Sequence, residues 1–420
     1  MFLKPTLTVS LSAIVANWQS LRAQFTGDEC AAVVKADAYG LGAIAVSVAL
    51  EKAGCHSFFV ATLDEAIALR EALPDVRILV FHGVQAGEEF AFAAHRLIPV
   101  LNSTAQIERW KPVAAEHVHA VSALHIDTAM ARMGLETDEF AALMLREPAV
   151  LDACRVGLIL SHFACSPEAA HPLNAAQLSR FHAARALAPN IPASLCNSGG
   201  IYLAPEYHFN LARPGCSLYG IAPQTVTSHP SPVTSEGAPR AVHPLPLRER
   251  VGVRGREGDA TALTNAPPSN LPPQGGKASS VARMLPNPMQ HVATWQAPIL
   301  ATRTLERKQT VGYGATQTLP KGTRIATVAS GYADGYLRHA SGHAVAYVAA
   351  HKVPLVGRVT MDMLCFDVSH VPEALTHDGA PITLLGDADG IRVDDVANAA
   401  ETIGYEVLTR IGPRVKRIYT

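Results

Sequence analysis

The stretch Val33-Val-Lys-Ala-Asp-Ala-Tyr-Gly-Leu-Gly42 decides how the rest of this chain is read. Lys35 closes a short apolar β-type run, Ala31 to Val34, and Asp37, Tyr39 and Gly40 then break that run. From Leu41 onward the pattern becomes helical. A lysine at the C-terminal end of a strand is partly desolvated, which lowers the cost of its neutral, nucleophilic form. In that form it condenses with aldehydes, and the Tyr39 hydroxyl is placed to bond a phosphate. An isolated strand-end lysine more often reaches into water, so the surroundings must decide.

Outward from this stretch the chain alternates short β-type runs with longer amphipathic segments. The predicted strands are Ala31–Lys35, Ser57–Ala61, Arg77–His82, Ile98–Asn102, Ser122–Asp127, Gly157–Phe163, Ala193–Asn197 and Phe209–Arg213. Alanine-rich helical segments such as Asp64–Ala72 and Ala175–Leu187 lie between them. Eight strands, each but the last followed by a helix-like stretch, predict a (β/α)8 TIM-type barrel. An open doubly wound sheet is the alternative, but no GxGxxG follows the first strand. Barrel chemistry gathers where strands end, on the C-terminal face. Lys35, the loop from Asp127 to Arg132, His162, Asn197, Ser198 and Arg213 all fall at or just past predicted strand ends.

Residues 224–286 differ in kind. They hold ten of the 29 prolines and no Phe, Tyr or Trp. Such a composition cannot bury enough apolar surface to offset ordering entropy, so a disordered insertion is expected. Arg248, Arg250, Arg254 and Arg256 are interleaved with acids, as in a solvated linker. Beyond it, Gln296–Thr304, Thr323–Ala329, Ala344–Val348, Val353–Arg358, Leu364–Val368 and Ile382–Leu385 are β-rich runs separated by Gly, Pro and Asp turns. They predict a mostly-β domain, closed by a helix near Val393 to Ile403 and an extended tail. The expected division is barrel 1–223, insertion 224–286 and β domain 287–420.

With 420 residues, 48% hydrophobic and 17% charged, the chain can bury a large core. Its formal net charge of −1 gives no bulk attraction to nucleic acid or anionic membrane. Cys30, Cys55, Cys154, Cys165, Cys196, Cys216 and Cys365 are scattered and never spaced as CxxC. That argues against a disulfide framework or zinc site and for a reducing compartment. No stretch approaches the roughly 18 apolar residues of a membrane span, and the N-terminus has no signal-peptide pattern. A cytoplasmic location is expected.

Taken together the motifs resemble those of alanine racemases across nearly the whole chain outside the insertion. In that family the lysine matching Lys35 carries pyridoxal 5'-phosphate and the tyrosine matching Tyr39 binds its phosphate. The resemblance implies further roles, segment by segment. His125-Ile-Asp-Thr-Ala-Met-Ala-Arg132 is similar to the segment whose arginine orients the catalytic tyrosine and substrate carboxylate. Ser161-His162-Phe-Ala is similar to the strand-end histidine motif that lies at the cofactor. Asn197-Ser198 resembles the site of the phosphate-binding serine. Arg213-Pro-Gly215, with Cys216 after it, resembles the turn whose arginine faces the pyridine nitrogen. Gly312-Tyr313-Gly-Ala matches the second catalytic base. Arg358-Val-Thr-Met361-Asp362 matches the strand that meets the substrate carboxylate, and Tyr332, in Gly331-Tyr-Ala-Asp-Gly-Tyr336, joins it as a substrate-side residue. No metal is implied.

The chemistry suits these assignments. Racemisation removes a proton from one face of Cα and returns one to the other, and Lys35 and Tyr313 are both able to act as bases. Arginine stays protonated and cannot accept a ring proton, so Arg213 would leave the pyridine nitrogen unprotonated and disfavour transamination. Tyr313 needs a cation nearby to act as a base below its ordinary pKa of about 10, with Arg132, or His162 linked to Arg213, as candidates. The resemblance also implies a homodimer with shared sites, Tyr313 and Met361 coming from the partner.

Three features depart from the family. Several members carry a lysine, open to carbamylation, where this chain has His125. The C-terminal Arg410-Ile-Gly-Pro413-Arg-Val lacks a tyrosine that some members place there as a phosphate and gate residue. The connection between barrel and β domain is also much longer than usual. A diamino-acid decarboxylase of related architecture is one rival, but it sets an acid where Arg213 stands. A single-barrel pyridoxal-phosphate carrier is another, and it has no counterpart to Tyr313 or Met361. The substrate range, and the choice between D-alanine supply for peptidoglycan and alanine breakdown, stay open.

Overall fold

The computed structural model describes residues 4–224 and 287–420. Apart from Gln224, the expected disordered insertion lies outside the described residues.

All eight predicted barrel strands form, though most are shorter than their apolar runs. Glu29–Cys30 and Ala32–Val33 make up the first position. Ser57–Val60, Arg77–Val80, Ile98–Leu101, Ser122–Asp127, Val156–Leu160 and Ala193–Ser194 follow in parallel, each paired with the one before. Leu211–Ala212 then pairs in parallel with Glu29–Cys30. Backbone bonds from Asn210 N to Ala193 O (3.0 Å) and Arg213 N to Cys196 O (2.9 Å) bridge it to the seventh strand, which closes the ring. The N-terminal half is therefore a TIM-type barrel and the C-terminal half is mostly β.

Alternation along the strands divides two cores. Ala31, Val33, Phe59, Leu79, Val100, Ala123, Leu158, Leu160 and Leu211 pack against one another inside the barrel. Their neighbours Ala32, Val34, Phe58, Ile78, Val80, Leu101, Leu124 and Ile159 face outward into the larger core under the helices. Successive strand side chains point to opposite faces, so the next inward positions after this apolar filling are fixed by counting two. They are Lys35, Phe81, Asn102, His125, His162 and Arg213. Phe59 is fully buried in the filling, and its truncation to Ala would cost about 3–5 kcal/mol.

The helices begin where their sequences cap them. Thr62 and Glu65 form a capping box on Leu63–Ala72, and Ser103 caps Thr104–Glu116. Some helix boundaries differ from the sequence expectation. The helix expected from Leu41 starts at Ala43, and the one expected near Val393 to Ile403 ends at Ala399, with a second helix, Gly404–Thr409, beyond it. Glu401, with φ of 51°, lies in the left-handed region between them.

The second sheet is ordered His351–Pro354, Val345–Val348, Pro381–Leu385, Ala293–Thr304, Thr6–Val9, Lys416–Tyr419. The long strand Ala293–Thr304 changes partners along its length. Its first half pairs with Thr6–Val9 and Pro381–Leu385, and its second half pairs with Arg324–Val328, which in turn holds Leu364–Asp367. Thr6–Val9, which its sequence did not mark as a strand, sits between Ala293–Gln296 and Lys416–Tyr419, at the far end of the chain. A small hairpin, Gln309–Val311 with Gln317–Leu319, stands over its own apolar cluster of Leu305, Val311, Leu319, Ile325 and Val356.

Candidate active site

At the first strand end the backbone does something costly. Ala36, Asp37, Ala38 and Tyr39 all have φ between 52° and 58°, a turn of left-handed helix, and Gly40 continues it at 82°. For L-residues this costs about 1–2 kcal/mol each. Surrounding groups over-determine it. Glu65 accepts from Ala36 N and Ala61 N, both at 2.7 Å, and Asp37 Oδ1 accepts from Ala43 N at 2.7 Å. Arg417 donates to the Gly40 carbonyl, and a Cβ on Gly40 would lie 2.8 Å from the Leu408 carbonyl oxygen. The result is that Lys35 and Tyr39 leave the strand on fixed trajectories.

Lys35 Nζ lies 5.6 Å from the centre of the Phe81 ring. Burial is the first cause lowering its pKa, the positive charge of Arg132 the second, and Glu65 opposes both. Arg132 itself is exposed. Its loop is built by Asp127, whose carboxylate accepts from the amides of Ala129, Met130 and Ala131 at 2.7–2.9 Å. The short strand Leu135–Glu136 then returns beside Ser122–Asp127.

Arg213 is 3% exposed. Its guanidinium donates to Ser161 O at 2.5 Å and to Ser194 Oγ, and Nη2 lies 3.5 Å from His162 Nδ1. Burial lowers its pKa to about 10, so it stays charged near neutral pH. Burial and then Arg213 push His162 far below the ordinary histidine range. His162 is therefore neutral and cannot serve as the cation that its sequence allowed beside Tyr313.

His125 Nδ1 meets Asn102 Oδ1 at 2.8 Å. Asn102 spends its amide hydrogens on the Phe81 and Val100 carbonyls, so its oxygen faces the imidazole and His125 Nδ1 is the donor. Burial, then Arg213, lowers the His125 pKa to about 4. Asn102 and Phe81 were not singled out from the sequence, although the two-residue alternation after Val100 and Leu79 points to both.

Tyr39 is buried, its ring centre 4.7 Å from that of Tyr219 and 5.7 Å from that of Tyr405, both pairs tilted. Tyr219 Oη donates to the Val33 carbonyl at 2.8 Å. Ser198 Oγ accepts from Gly215 N (3.0 Å) and Ser217 N (3.3 Å). A Cβ on Gly215 would fall 2.6 Å from the Tyr39 hydroxyl. Tyr39, Ser198, Gly215 and Cys216 thus converge, and the Tyr39 and Ser198 hydroxyls there suit an anion such as a phosphate. Asn197 Oδ1 accepts from Ser166 Oγ and Gly200 N at 2.7 and 2.9 Å, bracing this turn.

The residues expected from the second domain stand in the open. Tyr313 is 74% exposed at the tip of the small hairpin, between Gly312 and Gly314, both with positive φ. Met361 (53%) and Tyr332 (41%) are also exposed, as is Asp362. Tyr332 N donates to Thr360 O and Ala333 N to Met361 O, each at 3.0 Å, which joins their two loops.

Models of the alanine racemase N-terminal and C-terminal domains match residues 9–223 and 292–419. The chain belongs to the alanine racemase family. The alanine racemase of Rhodospirillum rubrum is 42% identical over 416 residues, spanning 98% of this chain and 95% of the relative. A catabolic alanine racemase of Agrobacterium fabrum is 36% identical over 415 residues, 98% and 91% of the two chains. Among solved structures, the Bartonella henselae alanine racemase with covalently bound pyridoxal phosphate has a TM-score of 0.80 at 31% identity, covering 100% of both chains. The biosynthetic alanine racemase of Pseudomonas aeruginosa has a TM-score of 0.75 at 30% identity over 99% of each. Family membership makes the chain an amino-acid racemase, an isomerase. Enzymes of the alanine racemase family use pyridoxal phosphate. Among the described residues no helix is long and apolar enough to cross a membrane.

Proposed function

We propose that this chain interconverts L-alanine and D-alanine with pyridoxal 5'-phosphate, Lys35 and Tyr313 handling the proton on opposite faces of Cα. The observation that carries the reading is the inward layer at the barrel mouth, where Lys35 shares a site with a buried Arg213 set against a neutral His162. The Tyr39 and Ser198 hydroxyls, with Gly215 and Cys216 beside them, fit the cofactor's phosphate, and the close approach of Gly215 to the Tyr39 hydroxyl leaves room for no side chain there. When bound, the cofactor spreads the negative charge that builds on Cα.

The chain's own groups do the rest. Lys35, its pKa lowered by burial and then by Arg132, gives up its own proton more readily and so suits the role of a base that takes one from Cα. Arg213 would face the pyridine nitrogen of a bound cofactor and, always protonated, would leave that nitrogen without a proton. His162 and Asn197 support the ring's surroundings. Arg132, Tyr332 and Met361 orient the substrate, Arg132 meeting its carboxylate, and Asp362 lies beside them at the substrate site. Tyr313, between two glycines, moves the proton on the far face. With His162 neutral, Arg132 is the cation that favours its phenolate.

Because Tyr313, Met361 and Tyr332 are all exposed, we assign them to the site of a second copy in a homodimer with shared sites. Seven free cysteines support a reducing, cytoplasmic setting. Either D-alanine supply for peptidoglycan or alanine breakdown would use this chemistry. A racemisation assay across amino acids tests the reading, with borohydride fixing the cofactor's label to a peptide. Label on Lys35 and turnover of alanine are expected. Label on another lysine, or no turnover of alanine by cofactor-loaded protein, would overturn it.

A further inference from the structure

Arg414 lies in the C-terminal segment, before the strand Lys416–Tyr419, and its guanidinium spans two carboxylates. Nε is 3.0 Å from Asp334 Oδ1 and Nη1 is 2.7 Å from Asp362 Oδ1. The two acids differ sharply in setting. Asp334 is 1% exposed, its Oδ2 accepts from Gly331 N at 2.9 Å, and its carbonyl accepts from Gly412 N at 2.9 Å. Asp362 is half-exposed, next to Met361. A Cβ on Gly331 would sit 2.3 Å from the Met361 carbonyl oxygen, so the Tyr332 turn and the Met361 loop are pressed together.

The pair with Asp362 is half-exposed on both sides, and such pairs add little to stability. Its consequence is electrostatic. An amino-acid substrate carries a carboxylate, and an uncompensated Asp362 beside it would repel that charge. We propose that Arg414 is a positioning residue of the substrate site, neutralising Asp362 and locking the Tyr332 turn to the Met361–Asp362 loop through Asp334, so that the substrate carboxylate is tolerated there. This rests on the functional reading above, which places Tyr332, Met361 and Asp362 at the substrate.

The experiment measures KM and kcat for alanine on the cofactor-loaded full chain, with melting temperature alongside. Arg414→Met is expected to raise KM about tenfold, with a smaller fall in kcat. Adding Asp362→Asn removes the charge that needs neutralising and is expected to recover most of the KM. Arg414→Lys, which keeps the charge but not the two-way span, falls between, and it carries the comparison should Arg414→Met fold poorly. Lys352→Met, which breaks the exposed Lys352–Asp389 pair, is the control and leaves KM unchanged. A KM that Arg414→Met does not move, or a rise that Asp362→Asn does not reverse, overturns the proposal. A wild-type chain that binds cofactor but does not racemise alanine overturns the functional reading and this inference with it. An active wild type with either of the first two results overturns this inference alone.

Discussion

Arg213 Nη2 lies 3.5 Å from His162 Nδ1, and because arginine can only donate, that ring nitrogen must present its lone pair. The contact therefore sets the histidine's tautomer and adds to the burial that keeps it neutral. Arg213→Met would remove the donor to Ser161 O and the positive charge facing the imidazole. Orphaning such a buried acceptor costs about 1–3 kcal/mol. The His162 pKa should rise toward the ordinary histidine range, read from its ring resonances across a pH titration. Racemisation should fall on the order of 100-fold, as expected for loss of a preorganised donor. A His162 pKa that does not move at all in the variant would sink this account.

Lys35 owes part of its lowered pKa to Arg132, burial being the larger cause. Arg132→Met removes one cation while leaving the exposed loop anchored by Asp127. The pH midpoint for cofactor capture by stripped enzyme should move to higher pH, since Lys35 would hold its proton longer. The check is the capture rate against pH for wild type and variant. An unmoved midpoint would mean that burial alone sets the lysine.

Most of the site was legible because a strand repeats every two residues. Val33 to Lys35, Ala123 to His125, Leu160 to His162 and Leu211 to Arg213 each step from barrel filling to barrel mouth, and apolar runs mark where the count begins. The same step reaches Phe81 and Asn102, but neither residue type announces chemistry. The left-handed turn at 36–39 was not legible. Its support comes from Glu65 and Arg417, outside the local stretch, and only Asp37, Gly40 and Gly42 hint at it locally. Thr6–Val9 escaped for a related reason: four residues gain their meaning from partners near 294 and 418.

Gly215→Ala should weaken cofactor binding. The added methyl would lie 2.6 Å from the Tyr39 hydroxyl, closer than any real contact, so either Tyr39 or the Gly215–Ser217 turn must shift. A rise in cofactor Kd of about tenfold or more is expected, equivalent to roughly 1.4 kcal/mol. Tyr39→Phe in the same chain relieves the clash and should recover part of that loss. Equal losses in the single and double variants would show that the clash lies elsewhere.

His125 gives a pH dependence whose sign can be worked out. Its folded pKa is lowered to about 4, below the ordinary value of 6.5. Between those limits the unfolded chain binds the proton and the folded one does not. The stability linked to His125 is thus complete above pH 6.5 and is lost as pH falls toward 4, by up to on the order of 3 kcal/mol. The urea midpoint should drop over that interval, and less steeply in His125→Asn. Parallel curves for the two proteins would remove His125 from the explanation.

The last expectation concerns the second copy. Tyr313 is 74% exposed on a hairpin tip, and Lys35 is recessed at the barrel mouth. If Tyr313 completes a partner's site, two inactive chains can restore one another. Mix Lys35→Ala protein with Tyr313→Phe protein under conditions that allow subunits to exchange. Each mixed dimer then has one site with neither base and one site pairing Lys35 of the second chain with Tyr313 of the first. Random exchange at equal amounts makes about half the dimers mixed, each with one of two sites intact, so activity should approach about a quarter of wild type. The measurement is alanine racemisation alongside native mass spectrometry, with the two variants distinguished by mass. Mixed dimers that form and stay inactive would mean that Tyr313 serves its own chain or no site at all.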